Sequence, residues 1–499
     1  MWGDVLKDAA RIAQGPDPAA ARPLVERLLA DRPGDPDALT LAGIVAQRTG
    51  DGPAAILAFQ QACEGNPANP ARQQNLAVAL KNGGAFAQAC RVFEEALRLR
   101  PGHAATLANM GSCLIAMDRL DDAIAVLAEA GDHPDALTNL GVALARTGET
   151  DRAITSYRRS LAARPGHVDT IINLADALAR LGAAQEARDL LAAILRREPG
   201  HVRAANQLAL LLEGLGDTDG GAGVLRAAFA PAAPNHALGV NLARLLIRSD
   251  AAGEATGVCD RLLATQPSVT TPLALKLAAL TCLGDAVERA RLMALDRFVT
   301  VHDLTVVPGF ADMDAFNRAL VDELAAHPSL TFEPEGLVTR NGRQSDELAD
   351  ATSPAIAALA GVARARLAVE RERLGAMPAD HPFLRAMPDL WTLTLWGTIL
   401  RPGGAVGAHI HAPNWLSGVY YPAFDEGDGG NAGAFGIGML PAELGGGGAV
   451  TVLRPRAGRM ILFPSYLWHA TLPFDAGGER VSFAFDLVPA GIGRPHRLR

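Results

Sequence analysis

The chain has 499 residues, 49% hydrophobic and 20% charged, with a formal net charge of -8. That length exceeds what one hydrophobic core usually serves, so two or more domains are expected, and the acidic balance offers no basic face to attract nucleic acid. No apolar run reaches the roughly 18 residues that span a bilayer, and the start lacks the basic-then-apolar pattern of a secretory leader; no membrane partner and a cytoplasmic location are the expectations.

In chain order the first signal is self-similarity. Stretches beginning at Asp37, Ala71, Asp135, Asp169, Arg203 and Ala237 align on a period of 34 residues. Asn139-Leu140-Gly141, Leu144, Gly148, Ala153, Tyr157, Leu161 and Pro165 match Asn173-Leu174-Ala175, Leu178, Gly182, Ala187, Leu191, Leu195 and Pro199. Small residues let paired helices approach, glycine ends the first helix, and proline marks the passage to the next repeat. The repeat from Ala105 to Pro134 is four residues short, lost near the end of its second helix. Cys63, Cys90, Cys113, Cys259 and Cys282 lack the spacing of a zinc site or disulfide framework and are expected to be buried small apolar residues.

This pattern resembles the tetratricopeptide repeat over residues 1–295, about eight helix pairs. The resemblance implies an all-α solenoid whose first helices line a concave surface. Asn75, Asn109, Asn139, Asn173 and Asn241 share one position on those first helices, with Gln207 equivalent between the last two. Each amide offers a donor and an acceptor, so the column suits the backbone of an extended protein or peptide. It resembles the asparagine ladder of O-linked N-acetylglucosamine transferases. The competing reading is that these amides cap or bridge neighbouring helices.

From about residue 300 the period stops. Helices are expected over Asp312–His327 and Ser353–Arg373, with a loop at Asn341-Gly342-Arg343-Gln344-Ser345 between them. Beyond Asp389 short apolar runs alternate with glycine and proline: Leu390–Leu400, Leu416–Phe424, Ala449–Leu453, Met460–Phe463, Trp468–Phe474 and Val481–Val488. Many short strands argue for a sandwich or barrel, with a core over about 389–490. The glycine-rich stretch from Asp425 to Gly448 is either a lid or a solvated loop.

His409 and His411 are two apart, which on a strand points both imidazoles to one face. His469 follows on a later strand, then Arg480 and, in phase with it, Ser482. Imidazoles suit a non-haem iron site, and an arginine fork beside a hydroxyl suits a carboxylate. His409-Ile410-His411, Ser417-Gly418-Val419-Tyr420-Tyr421, Phe463-Pro464-Ser465, His469 and Arg480-Val481-Ser482 together resemble the double-stranded β-helix oxygenases that use Fe(II) and 2-oxoglutarate.

That resemblance covers roughly residues 300–490 and implies a multidomain chain: a solenoid over 1–295, then a jelly-roll barrel with flanking helices over 296–499. It implies an Fe(II)/2-oxoglutarate dioxygenase consuming O2, with His409, His411 and His469 on the metal and Arg480, Ser482 and Tyr420 on the cosubstrate. The substrate would be a protein or peptide captured by the repeats. Position 411 departs from the commoner pattern, in which an acid stands there. Either three histidines bind the metal, or Asp425 or Asp428 supplies the acid, or one early histidine stands behind a ligand. Two other functions stay open: a binding scaffold with a catalytically silent barrel, and a cupin-like metalloenzyme.

Overall fold

The computed structural model describes residues 2–230, 232–424, 431–474 and 478–498. The chain forms two compact units, residues 1–198 and 199–499.

The first unit is all helical. Its helix pairs include Pro36–Arg48 with Gly52–Gly65, Pro70–Asn82 with Phe86–Leu99, and Pro134–Arg146 with Thr150–Ala163. Asp35 and Asn69 each cap the first helix that follows: the Asp35 side chain accepts from the Asp37 and Ala38 amides, and Asn69 does the same for Ala71 and Arg72. Proline then occupies the first helical position, where a missing N–H costs nothing. Gly148 and Gly182 follow the first helices with φ of 83° and 85°, a conformation that favours glycine. Within the pair, a Cβ on Gly141 would lie 2.4 Å from Tyr157 Cε1, so the small residue is what allows the two helices to touch. The shortened repeat is visible as a second helix of 9 residues, Leu120–Ala128, against 14 in Thr150–Ala163. The core runs through Phe59, Leu76, Phe93, Leu107 and Leu114, with Cys63, Cys90 and Cys113 buried in it.

The second unit opens with further repeat helices, from Val202–Gly214 to Ala286–Met293, and continues into a curled antiparallel sheet of jelly-roll type. Cys259 is buried here, but Cys282 is exposed near the end of the helix Thr271–Leu283, correcting the expectation for that residue. Among the described residues no helix is long and apolar enough to cross a membrane.

The strands are β1 (Thr300–Asp303), β2 (Thr331–Phe332), β3 (Thr339–Gln344), β4 (Trp391–His409), β5 (Leu416–Ala423), β6 (Phe435–Ile437), β7 (Thr451–Leu453), β8 (Arg459–Pro464), β9 (His469–Thr471) and β10 (Arg480–Pro489). They order as β1-β8-β5-β10-β4-β9-β6-β7, with β3 also on β4 and β2 on β3. Helices Met313–Ala325 and Pro354–Gly375 flank them.

Strand β4 creates the curl. Its first half pairs with β10 from Trp391↔Pro489 to Leu400↔Arg480, and its last residues pair with β9 at Val406↔Thr471 and His409↔His469. One strand therefore serves both walls. The sequence around Pro402-Gly403-Gly404 reads as the end of a strand, yet β4 runs through it, because Gly403 takes a φ of 78° and the register against β3 shifts there. The Asn341–Ser345 phrase, expected as a loop, lies largely in β3 for the same reason: it is the partner that this bend needs. The expected strand Trp468–Phe474 shortens to β9.

Two repeat helices hold the turn between β8 and β9. Tyr466, fully buried, donates its hydroxyl to the Leu292 carbonyl at 2.6 Å, and Trp468 Nε1 donates to the Ala274 carbonyl at 2.8 Å.

Candidate metal centre

A cavity of about 260 Å³ opens inside the curl, lined among others by His409, His411, His469, Tyr421, Arg480 and Ser482. His409 closes β4 and faces His469, the first residue of β9, directly across the ladder. His411 lies just past the strand, so strand alternation does not aim it. Instead its backbone N–H and that of Ala412 donate to the Ser465 carbonyl at 2.9 and 3.1 Å, folding the ring back beside its neighbour. Ser465 in turn hydrogen-bonds Ser417, Oγ to Oγ, at 2.7 Å, which explains the two serines in the Ser417-Gly418 and Phe463-Pro464-Ser465 phrases. Gly418 is required because a Cβ there would meet the Phe485 ring at 2.3 Å.

The three imidazoles converge, with ring centroids 4.3 to 5.0 Å apart. Their chemistry is consistent with a cation. Each Nδ1 has as its shortest partner an oxygen that accepts: the Gly407 carbonyl at 2.8 Å for His409, the Leu467 carbonyl at 2.9 Å for His469, and the Asp486 carboxylate at 2.8 Å for His411, whose Nδ1 also lies 3.1 Å from Ser417 Oγ. The proton therefore sits on Nδ1, and each Nε2 is left with a lone pair. His409 Nε2 and His411 Nε2 are 3.1 Å apart. Two nitrogens about 2.1 Å from one ion and at right angles would be about 3.0 Å apart, so the pair fits a shared metal. Desolvation, and then the neighbouring His411, hold His409 down at about pKa 3. Burial, helped by both other rings, also holds His469 well below the usual imidazole range. Metal binding needs neutral imidazoles, and these surroundings supply them. Among the described residues His409, His411 and His469 form the group able to hold an ion. Asp425 and Asp428 lie outside the described residues.

Deeper in the cavity Arg480 begins β10. It is 3% exposed, with Nε donating to the Gly433 carbonyl at 3.0 Å and Nη1 to Ser482 Oγ at 3.3 Å. Its guanidinium lies 5.0 Å from the Tyr421 ring centre, and the buried Tyr421 hydroxyl has no hydrogen-bond partner. Among the described residues no carboxylate pairs with Arg480. A buried cation and an orphaned hydroxyl in one pocket are costly until an anion arrives, and a carboxylate fits both.

Tyr420, expected at the cosubstrate, is not brought to this cavity. Strand alternation turns it outward, where its hydroxyl donates to Asn317 Oδ1 at 2.6 Å, and Tyr421 takes the inner place. Asp486 was not foreseen. It stands in phase with Arg480 and Ser482 on β10, and a lone acid in the apolar run Phe483-Ala484-Phe485-Asp486-Leu487-Val488 was the available signal. Trp396 was also missed; it lines the cavity and stacks on His496 with ring centres 4.5 Å apart.

The asparagine column is half-buried throughout. Asn139 Nδ2 donates to the Ala108 carbonyl of the preceding repeat at 3.1 Å, and Asn109 Nδ2 to its own Ala105 carbonyl at 2.9 Å while its Oδ1 accepts from Lys81. In the second unit Asn241 Nδ2 donates to Asn206 Oδ1 at 2.9 Å. Asn75, Asn173 and Gln207 occupy the equivalent helix positions. Asn109 and Asn139 border a cavity of about 410 Å³ together with Lys81, Ser112, His133 and Asp135.

Fold and site together define a helical-repeat protein carrying a jelly-roll domain with a three-histidine cluster able to hold a metal ion. Comparison with known families agrees: residues 394–486 match the family described as "Putative 2OG-Fe(II) oxygenase", and residues 13–70, 82–135 and 144–211 match tetratricopeptide repeats. The chain thus carries tetratricopeptide repeats and a C-terminal 2-oxoglutarate/Fe(II) oxygenase-type domain. No curated protein gave a match. Similar solved structures include PilF of Pseudomonas aeruginosa (15% identical, 41% of this chain and 94% of that one, TM-score 0.37). Another is a tetratricopeptide repeat protein of Parabacteroides merdae (16% identical, 46% of this chain and 92% of that one, TM-score 0.39).

Proposed function

We propose that the chain is an Fe(II)- and 2-oxoglutarate-dependent dioxygenase that hydroxylates a protein or peptide captured by its repeats. The observation that carries this reading is the pairing, in one cavity, of three convergent Nε2 lone pairs with a buried arginine that has no carboxylate partner among the described residues.

His409, His411 and His469 would hold Fe(II) through Nε2. The Arg480 fork would take the distal carboxylate of 2-oxoglutarate, with the Ser482 and Tyr421 hydroxyls beside it. Iron, 2-oxoglutarate and O2, when bound, supply the oxidising chemistry that puts a hydroxyl on a substrate C–H bond. The residues of this chain bind and orient: the barrel walls exclude water, and the Nδ1 hydrogen bonds fix each ring's tautomer and angle. The half-buried amides of Asn75, Asn109, Asn139, Asn173 and Asn241, with Gln207, would hydrogen-bond an extended chain and raise its concentration near the metal. The hydrogen bonds of Asn109, Asn139 and Asn241 to neighbouring groups also support their bridging role, and an amide can serve both.

A second reading is favoured by one observation. Among the described residues no carboxylate joins the three histidines, as expected of a barrel that senses or scaffolds without oxidation. Anaerobic titration with Fe(II) and 2-oxoglutarate separates the possibilities. A metal-to-ligand charge-transfer band, followed in air by succinate formation matching 2-oxoglutarate loss, is expected. A band without succinate would favour the scaffold, and no band at all would refute the dioxygenase reading.

A further inference from the structure

The acid missing from position 411 has a counterpart one imidazole away. Asp486 is 2% exposed and sits between Phe485 and Leu487 on β10. Its Oδ1 accepts from His411 Nδ1 at 2.8 Å, and its Oδ2 accepts from Asn414 Nδ2 at 2.8 Å. Asn414 is itself fixed: its Oδ1 accepts from the Arg494 amide at 2.8 Å, Nδ2 donates to the Arg494 carbonyl at 3.0 Å, and its own carbonyl accepts from Thr270 Oγ1 at 3.2 Å. Among the described residues no lysine or arginine forms an ion pair with Asp486, and its partner is the imidazole.

A carboxylate removed from water at this depth is costly unless a positive charge answers it. A neutral imidazole answers it only partly. The cation that would complete the pair lies on the far side of the His411 ring, at Nε2, where the three lone pairs meet. We propose that Asp486 is the charge-compensating and positioning carboxylate of this metal centre, acting through His411 and held in line by Asn414. The proposal rests on the metal-site reading above. It resolves the departure at position 411: the site keeps one negative charge, moved from the metal's own coordination to the ligand behind it, where it orients the ring and raises its basicity.

The experiment is calorimetric titration of the full chain with Fe(II) under anaerobic conditions and with Co(II), whose visible spectrum reports coordination. Asp486→Asn keeps the size and the hydrogen-bonding reach but removes the charge; it is expected to weaken metal binding by 10- to 100-fold and to shift the Co(II) bands. In a His411→Ala background the same substitution is expected to add little, because its effect travels through that ring. If the parent binds neither metal, the metal-site reading falls, and this inference with it. If the parent binds and Asp486→Asn binds equally well, or if its loss adds in full to that of His411→Ala, the positioning role alone is overturned. Should Asp486→Asn fail to fold, Asn414→Ala carries the test, since it keeps the carboxylate but releases Oδ2. A several-fold loss of affinity supports the role, and unchanged affinity and spectrum overturn it.

Discussion

Replacing Arg480 with methionine should move stability and ligand affinity in opposite directions. The guanidinium is 3% exposed and is met by one carbonyl, one hydroxyl at 3.3 Å and an aromatic face, with no acid among the described residues. Desolvation lowers its pKa from the usual arginine range, the mark of a charge that its surroundings do not fully answer. Exchanging such an ion for an apolar side chain of similar volume is commonly neutral or stabilising by about 1–4 kcal/mol. A carboxylate that pairs with it should then lose about 2–5 kcal/mol of binding, or roughly 30- to 5,000-fold in affinity. The assay is urea unfolding of the ligand-free protein beside equilibrium titration of 2-oxoglutarate into the Fe(II)-loaded protein. Arg480→Lys, which keeps the charge and loses the planar fork, should leave stability near the parent's and still bind weakly. A methionine variant less stable than the parent by more than about 1 kcal/mol, with unchanged 2-oxoglutarate affinity, would refute the reasoning, for the arginine would then be a structural residue with its partner inside the protein.

His381, 2% exposed and edge-on to Phe298 at 4.9 Å, accepts from the Phe383 amide through Nδ1. Burial first, then Arg291 and Arg297, lower its pKa to about 4. An unfolded histidine titrates near 6.5, so below that pH the unfolded chain takes a proton that the folded one refuses. The stability contribution is full above pH 6.5 and declines toward pH 4, by about 3 kcal/mol. His381→Asn, which keeps a capping acceptor, should flatten the urea-midpoint change between pH 7 and 4.5 by about that amount, and an unchanged slope would count against it. Truncation tests the architecture: residues 199–499 should retain Fe(II) binding, whereas 296–499 should aggregate or lose it, because Tyr466 and Trp468 lose the backbone acceptors at Leu292 and Ala274. Analytical ultracentrifugation with metal titration would read both, and a well-folded, metal-binding 296–499 would refute it.

What the sequence displayed most openly were features repeated at a fixed spacing. The 34-residue period carries glycines and small contact residues in register, and Gly141, Gly148 and Gly182 take in the structure the places that their chemistry dictates. The metal centre was legible because histidines are scarce and their order is informative, but the way His411 arrives was not. Alternation on a strand seemed sufficient, whereas a turn clamped on the Ser465 carbonyl does the aiming. The expectation for Tyr420 runs against the alternation within its own phrase. Ser417 faces His411, so period-two alternation along β5 sends Val419 and Tyr421 inward and Tyr420 out. Asp486 obeys the same alternation, which puts it on the face of β10 that carries Arg480 and Ser482.

The domain boundary is where local pattern carries least. Periodicity marks residue 295 as the end of the repeats, yet repeat helices from residue 199 onward belong to the same compact unit as the barrel. Arg289 donates to the carbonyls of Gly438 and Ala449 at 3.1 and 2.9 Å, beside the contacts that Leu292 and Ala274 make with the turn leading into His469. All of these acceptors are backbone carbonyls, those of Leu292 and Ala274 in ordinary helices, and are invisible to any search for motifs. His469 follows Trp468 directly, so a displacement of the helix Thr271–Leu283 acts on one ring of the three-histidine cluster through a single residue. The helix Thr271–Leu283 therefore braces, within the same compact unit as the sheet, the turn that leads into His469.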